Sequence, residues 1–368
     1  MIAFHCRDRH KPQTGLRPDC AALPACALDR PERCTFGADK LLVALQEGLP
    51  LVARPFARIG GDLGLSEEAV LARVRALFDA GVARRLGAVF EARSLGYEST
   101  LCAAEVPAGD LEAAAARITC RPAITHCYER EGHPNLWFTL TAPAQELRPE
   151  LKQVEALLGY EALDLPALQR FKVEAVFGRS EKDRSLRGDA PASRAPLLLT
   201  DRERRVVRRL QANIAVVAAP FDALAVELGH DPRELVELLT RWKQAGIIRR
   251  IGLIVRHGRL GFSANSMCVW AVAPDRITEA GGIVAQSPHV SHCYQRRSSP
   301  QFPFNLYAMI HAGTRQEAVV ILEQLAAEAG LPEGRMLWSL REFKKSSPVF
   351  FCEPPCPDRA GRDRAYAG

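Results

Sequence analysis

Apolar and polar positions resolve into one succession of elements that occurs twice. A helix from Ala38 to Gln46 sets Leu41, Leu42 and Leu45 on one face, and Pro50 and Pro55 bracket the loop after it. A short helix from Phe56 to Leu63 breaks at Gly64. Ser66 then precedes Glu67 and Glu68, an N-cap followed by carboxylates suited to the positive end of a helix dipole. Val70, Val74 and Leu77 recur at the spacing of one buried helical face, and Gly81 is the expected C-cap. Alternation from Val82 to Phe90 predicts a wing hairpin. Three short helices with a β wing make a winged helix-turn-helix.

A β-α-β-β-α-β order follows. Ser99 to Val106 is a strand, and Asp110 caps a helix through Thr119. Ala123 to Arg130 and Asn135 to Thr141 form a hairpin, and Ala144 to Leu158 is the second helix. That order is ferredoxin-like. Downstream, Thr200 or Asp201 caps a helix, Phe221 to Leu228 is the middle one, and Asp231 to Ala245 the third. Thr314 with Glu317 forms a capping box for a helix burying Ala318, Ile321, Leu322, Leu325 and Ala329.

The repeat extends to single residues. Ile124-Thr125-His126-Cys127-Tyr128-Glu129-Arg130 returns as Val290-Ser291-His292-Cys293-Tyr294-Gln295-Arg296. Asn135-Leu136-Trp137 returns as Asn305-Leu306-Tyr307, Arg84-Arg85 as Arg249-Arg250, and Arg170-Phe171-Lys172 as Glu342-Phe343-Lys344. A unit of about 140–150 residues, an ordinary domain size, has been duplicated in tandem. The fold class expected is α+β, a tandem repeat of winged helix-turn-helix plus ferredoxin-like domain. The expected divisions are a disordered leader (1–37), winged helix 1 (38–97), ferredoxin-like domain 1 (98–180), a linker (181–196), winged helix 2 (197–262), ferredoxin-like domain 2 (263–350) and a disordered tail (351–368).

Composition narrows the function classes. The 368 residues are 47% hydrophobic with a net charge of +6, ample for a core and mildly suited to a polyanionic partner. No apolar run reaches the roughly 20 residues that span a bilayer, and no apolar signal segment opens the chain. Eleven cysteines without regular spacing fit reduced thiols in the cytoplasm. The leader holds Cys6, Cys20, Cys26 and Cys34 with His5 and His10, at spacings unlike the short pairs of zinc sites.

Gly64-Leu65-Ser66 with Val70, Arg73, Val74, Leu77, Gly81 and Val82 resembles the Lrp/AsnC regulators, a winged helix joined to a ferredoxin-like ligand domain. The two His-Cys-Tyr-x-Arg segments, Asn135-Leu136-Trp137-Phe138, the run from Phe304 to His311, and Phe343-Lys344-Lys345 resemble the siroheme decarboxylases, which are built on that plan. This resemblance implies loss of CO2 from the acetate side chains at C12 and C18 of siroheme to give 12,18-didecarboxysiroheme, in heme d1 or alternative heme synthesis. It implies no added cofactor, since the iron belongs to the substrate. That family pairs two related subunits, and the halves here look like both fused into a pseudo-dimer. Further decarboxylase subunits are the other partners it implies.

The residues suit that chemistry. A polycarboxylate macrocycle needs guanidinium and ammonium groups. The recurring candidates are Arg84, Arg85, Arg249, Arg250, Arg130, Arg296, Lys172 and Lys344, with Asn305 beside them. Loss of CO2 needs positioned acids, and an alternating strand points His292 with Tyr294, and His126 with Tyr128, to one face. His311 or His292 are candidate ligands of the substrate iron; Thr141 stands where the first repeat would match His311. Cys127 and Cys293 fall on the opposite face, as packing. His230, His257 and His289 read as surface or turn residues. The competing functions are a DNA-binding regulator and a heme sensor without turnover. Recognition helices that open with Glu67-Glu68-Ala69 and Arg233-Glu234-Leu235 lack a basic cluster for phosphates.

Overall fold

The structure, a computed structural model, describes residues 39–173, 197–256 and 264–352. The leader and its cysteines, the 181–196 linker, His257 and the tail from 353 lie outside those residues.

Helices α1 (Lys40–Glu47), α2 (Pro55–Leu63) and α3 (Glu67–Asp79) form the first helical unit. Asp39 accepts from the N–H groups of Leu41 and Leu42, and Ser66 from that of Ala69, so capping chemistry sets both starts. Gly64, at φ +71, supplies the left-handed turn between α2 and α3. The second unit repeats this with α6 (Asp201–Leu210), α7 (Pro220–Leu228) and α8 (Pro232–Gln244), where Thr200 and Glu203 close a reciprocal capping box. Both units share one core, with Phe56, Val70 and Val74 in the same cluster as Val206, Phe221 and Trp242.

The wing departs from expectation. Strand β1 (Ala83–Phe90) folds into no hairpin of its own; it pairs antiparallel with β6 (Ile248–Val255), Gly87 opposite Gly252. Both glycines are required by close approach. A Cβ on Gly87 would stand 2.8 Å from the carbonyls of Leu210 and Ala212, and one on Gly252 2.6 Å from that of Leu45. Each repeat's strand therefore lies on the first helix of the other. Alternation reveals that a strand exists, not which strand it pairs with.

The ferredoxin-like halves are β2 (Tyr97–Ala104), α4 (Leu111–Thr119), β3 (Ile124–Arg130), β4 (Leu136–Pro143), α5 (Leu147–Leu158) and β5 (Ala162–Val173), then β7 (Ala264–Trp270), α9 (Ile277–Gln286), β8 (Val290–Arg296), β9 (Leu306–Ala312), α10 (Arg315–Glu328) and β10 (Arg335–Lys345). The sheets join edge to edge into a closed barrel, β10-β3-β4-β2-β5-β8-β9-β7. Strand β5 pairs with β2 of its own half and β8 of the other, and β10 pairs with β7 and β3. Closure leaves no exposed sheet edge.

Helices α4 and α5 cover one outer face over Ile118, Ile124 and Phe138, and α9 and α10 the other over Val284, Val290 and Leu322. Inside the barrel lumen, Trp137, Leu165, Phe302, Tyr307 and Leu337 pack as one cluster drawn from both halves. Two capping expectations need correction. Asp110 makes no side-chain bond to the start of α4 and pairs instead with Arg117 (2.8 Å). Glu317 reaches the N–H of Gly313, one residue before the Thr314 cap.

Candidate active site

A β-bulge in each hairpin strand builds the site. Pairing slips between Ile124 and His126 in β3, and between Val290 and His292 in β8. The extra residue, Thr125 or Ser291, reverses the phase of alternation. Val290 and Cys293 therefore pack outward under the helices, while His292, Tyr294 and Arg296 turn into the lumen with His126, Tyr128 and Arg130. In both halves the His and Tyr rings lie 6.3 Å apart at 25°.

Two residues beyond each tyrosine stand the arginines. Arg130 donates to the Leu337 carbonyl (3.0 Å) and to Ser339 (3.1 Å) and lies over the Tyr128 ring. Arg296 donates to the Leu165 carbonyl (2.9 Å) and lies over the rings of Tyr294 and Tyr307. Their Nε atoms are buried without a hydrogen-bond acceptor, and among the described residues no carboxylate pairs with either side chain. Burial pushes Arg130 down to about 10 and lowers Arg296. A buried cation without an anion is costly, so these two groups define a place for negative charge.

The histidines of both segments are held neutral. Burial, then the charges of Lys345, Arg84 and Arg130, pushes His126 down to about 4. Burial, then His311, His126, Arg249 and Arg296, pushes His292 down to about 3. Strands β3 and β8 stand four places apart in the closed eight-strand barrel, so the two constellations face each other across it. Burial raises Tyr128 and Tyr294, which stay protonated as donors, Tyr128 toward Glu342.

The rim carries the wing pair. Arg84 donates to the Lys345 carbonyl (2.8 Å), and Glu91, at the end of β1, holds both Arg249 and Arg170.

Several expected substrate contacts have structural work instead. Arg85 donates to the carbonyls of Gln211 and Ala88, and Arg250 is buried beside Gly48 at the end of α1. Lys344 donates to the carbonyls of Thr119 (2.6 Å) and Arg121 (2.7 Å), and Lys172 to that of Ser287 (2.8 Å), each neutralising a helix C-terminus. Asn305 clasps Val272 through both its N–H and its carbonyl, as Asn135 clasps Val106. His311 has both ring nitrogens engaged, Nε2 with Ser291 (2.6 Å) and Nδ1 with Asn265 (2.5 Å), and is therefore unavailable to iron. Among the described residues, His292 uses only Nδ1, bonded to Ser291 (2.8 Å). The thiols of Cys127 and Cys293 lie outside the lumen with burial pushing them up to about 12, which makes them inert. Among the described residues no cluster of three His, Cys, Asp or Glu could hold a metal ion.

Sequence reasoning placed Lys345 in a family signature but gave it no site role; it is the register partner of His126, where the second repeat has Val173 opposite His292. Recurrence was the misleading signal, because the lysine preserved in both halves is the helix cap. It also gave no role to Asn265, Ser291, Glu91 and Arg170.

Residues 39–84 and 203–249 match the siroheme decarboxylase NirDL-like HTH domain, and residues 94–172 and 259–344 the AsnC-like ligand binding domain. These matches, with the closed barrel, define a fused pair of AsnC-like units. The chain is 33% identical to the siroheme decarboxylase of Hydrogenobacter thermophilus, covering 86% of this chain and 95% of that one. It is 43% and 37% identical to the alpha and beta subunits of the siroheme decarboxylase of Desulfovibrio desulfuricans, over 38% and 40% of this chain and 80% and 94% of theirs. A crystal structure of the siroheme decarboxylase NirDL superposes with a TM-score of 0.68 at 33% identity, covering 86% of this chain and 94% of that one. Its co-complex with an iron-uroporphyrin III analogue gives 0.67 at 32% identity, over 86% and 95%. The chain belongs to the siroheme decarboxylase family, in its fused NirDL form.

Proposed function

We propose that siroheme binds at the mouth of the barrel, where its C12 and C18 acetates lose CO2 to give 12,18-didecarboxysiroheme for heme d1 or alternative heme synthesis. The carrying observation is the pair of buried guanidiniums, Arg130 and Arg296, which lack an anion that a polycarboxylate would supply. Arg84, Arg249 and Lys345 add positive charge at the rim.

Each event converts a CH2–COO⁻ group and one proton into CH3 and CO2. Protonation of the ring carbon makes an electron sink, the C–C bond breaks, the exocyclic carbon takes a proton and the ring proton leaves. His292 and His126 handle those protons, and Tyr294 and Tyr128 donate hydrogen bonds. With the site empty, burial and surrounding cations keep both imidazoles neutral. Siroheme's carboxylates oppose that repulsion, so substrate binding itself raises the imidazoles toward the protonated form. No described helix is long and apolar enough to cross a membrane, and the six cysteines in the described residues are free. The free thiols support a cytoplasmic setting.

The test is anaerobic incubation with siroheme and mass spectrometry of the extracted tetrapyrrole. Loss of two CO2 units is the expected result. Siroheme returned unchanged, with an absorption shift on binding, would replace the enzyme by a carrier or sensor.

A further inference from the structure

A chain of side chains crosses three strands behind one histidine and has no counterpart behind the other. Asn265 on β7, His311 on β9, and Ser291 and His292 on β8 are joined by successive contacts of 2.5, 2.6 and 2.8 Å. Asn265 and His311 are register partners, and the bulge at Ser291 brings its hydroxyl between the two imidazoles. At the matching register of the first repeat stand Ser99 and Thr141, which bond to each other at 2.7 Å. Thr125 holds His126 Nδ1 (3.0 Å), and its other partner is the backbone carbonyl of Thr139. That arrangement stops at one hydroxyl.

We propose that Asn265, His311 and Ser291 are a positioning relay that fixes the tautomer of His292 and stores its proton, a store that the first repeat does not provide for His126. This inference rests on the decarboxylase reading. A serine hydroxyl has one proton, so between two imidazoles it donates to one and accepts from the other. With the Asn265 carbonyl accepting from His311 Nδ1–H, Ser291 donates to His311 Nε2 and accepts from His292 Nδ1–H. His292 Nε2 is then the lone pair left for substrate. When Nε2 takes a proton, Nδ1–H passes to Ser291 and the serine proton passes to His311, which becomes the imidazolium. The reverse movement returns that proton through Ser291 to Nδ1, and Nε2 delivers its own to the substrate carbon. No electrons change hands, and the charge rests away from the reacting carbon. The charged groups acting on His292 are His311, His126, Arg249 and Arg296, and Lys345 acts on His311.

The experiment compares wild type with Ser291→Ala, with His311→Thr, which installs the first repeat's residue, and with Thr141→Val as the control. Steady-state decarboxylation of siroheme is followed anaerobically from acid to neutral pH in H2O and D2O, with melting curves and siroheme absorption titrations as checks on folding and binding. Ser291→Ala and His311→Thr are expected to lower kcat about ten-fold or more, with KM within about two-fold. Both displace the acid limb of the kcat profile and change the solvent isotope effect, and Thr141→Val does neither. Wild-type kcat and pH profile in folded Ser291→Ala would overturn the relay, whether or not His311→Thr folds. An equal loss in Thr141→Val would overturn the asymmetry. A wild-type enzyme that binds siroheme without turnover removes the decarboxylase reading instead, and the two failures are distinguishable.

Discussion

Lys345 stands opposite His126 across the β3–β10 ladder, although the two belong to different repeats. After burial, its charge is the first cause that keeps His126 neutral. Lys345→Met is therefore expected to raise the pKa of His126 and of His311, on which Lys345 also acts. Histidine titrations by NMR in the absence of substrate would measure both. Unmoved values in a folded variant would remove Lys345 from the site.

Arg296→Met should separate stability from binding. Replacing a buried cation that lacks an anion with an apolar side chain of similar volume removes an uncompensated desolvation cost. The melting temperature of the free protein is expected to hold or rise, while affinity for siroheme falls about ten-fold or more, the scale of a lost charge-assisted pair. A variant that melts much lower and binds normally would make Arg296 a structural residue.

Lys344→Met should do the opposite. Its ammonium holds two carbonyls at the end of α4, so the loss is expected to cost on the order of 1–3 kcal/mol in denaturant melts. kcat and KM should match wild type at a temperature where the variant is folded. A selective rise in KM would return Lys344 to the substrate site.

Acid should weaken the empty protein before its carboxylates titrate. Native His126 and His311 sit at about 4 and His292 at about 3, against 6.5 for a free imidazole. Between those limits the unfolded chain binds more protons than the native one, so stability falls as pH drops below about 6.5 and the histidine share of the loss is complete near 3. Denaturant melts across that window should show the slope, and His292→Gln should flatten it. An unchanged slope would mean that His292 is not buried neutral.

Helix starts were legible because capping is local: Ser66, Thr200 and Asp231 each sit within three residues of the N–H they satisfy. The repeat made the fold legible, and the His-Cys-Tyr-x-Arg segments marked the strands that carry the site. What failed depended on partners far along the chain. Nothing near Val82 says that β1 pairs with β6, or near Lys344 that the C-terminus of α4 lies under its ammonium. Strict alternation would have aimed His292 away from Ser291; the bulge lets both reach the lumen. Recurrence between repeats marked two histidines that face the barrel interior and two lysines that cap helices, because duplication preserves packing as faithfully as chemistry.

Exchange of the last strands decides what either half could do alone. A symmetric pair of first repeats would set Val173 beside His126 twice and contain no Lys345. A symmetric pair of second repeats would set Lys345 beside His292 twice, with no Thr125 site. Only the mixed pairing produces one histidine next to a cation and one next to an aliphatic side chain. Fusion into a single chain fixes that one-to-one stoichiometry, so the inequality of the two histidines is inherited with the gene and does not depend on sorting between subunits.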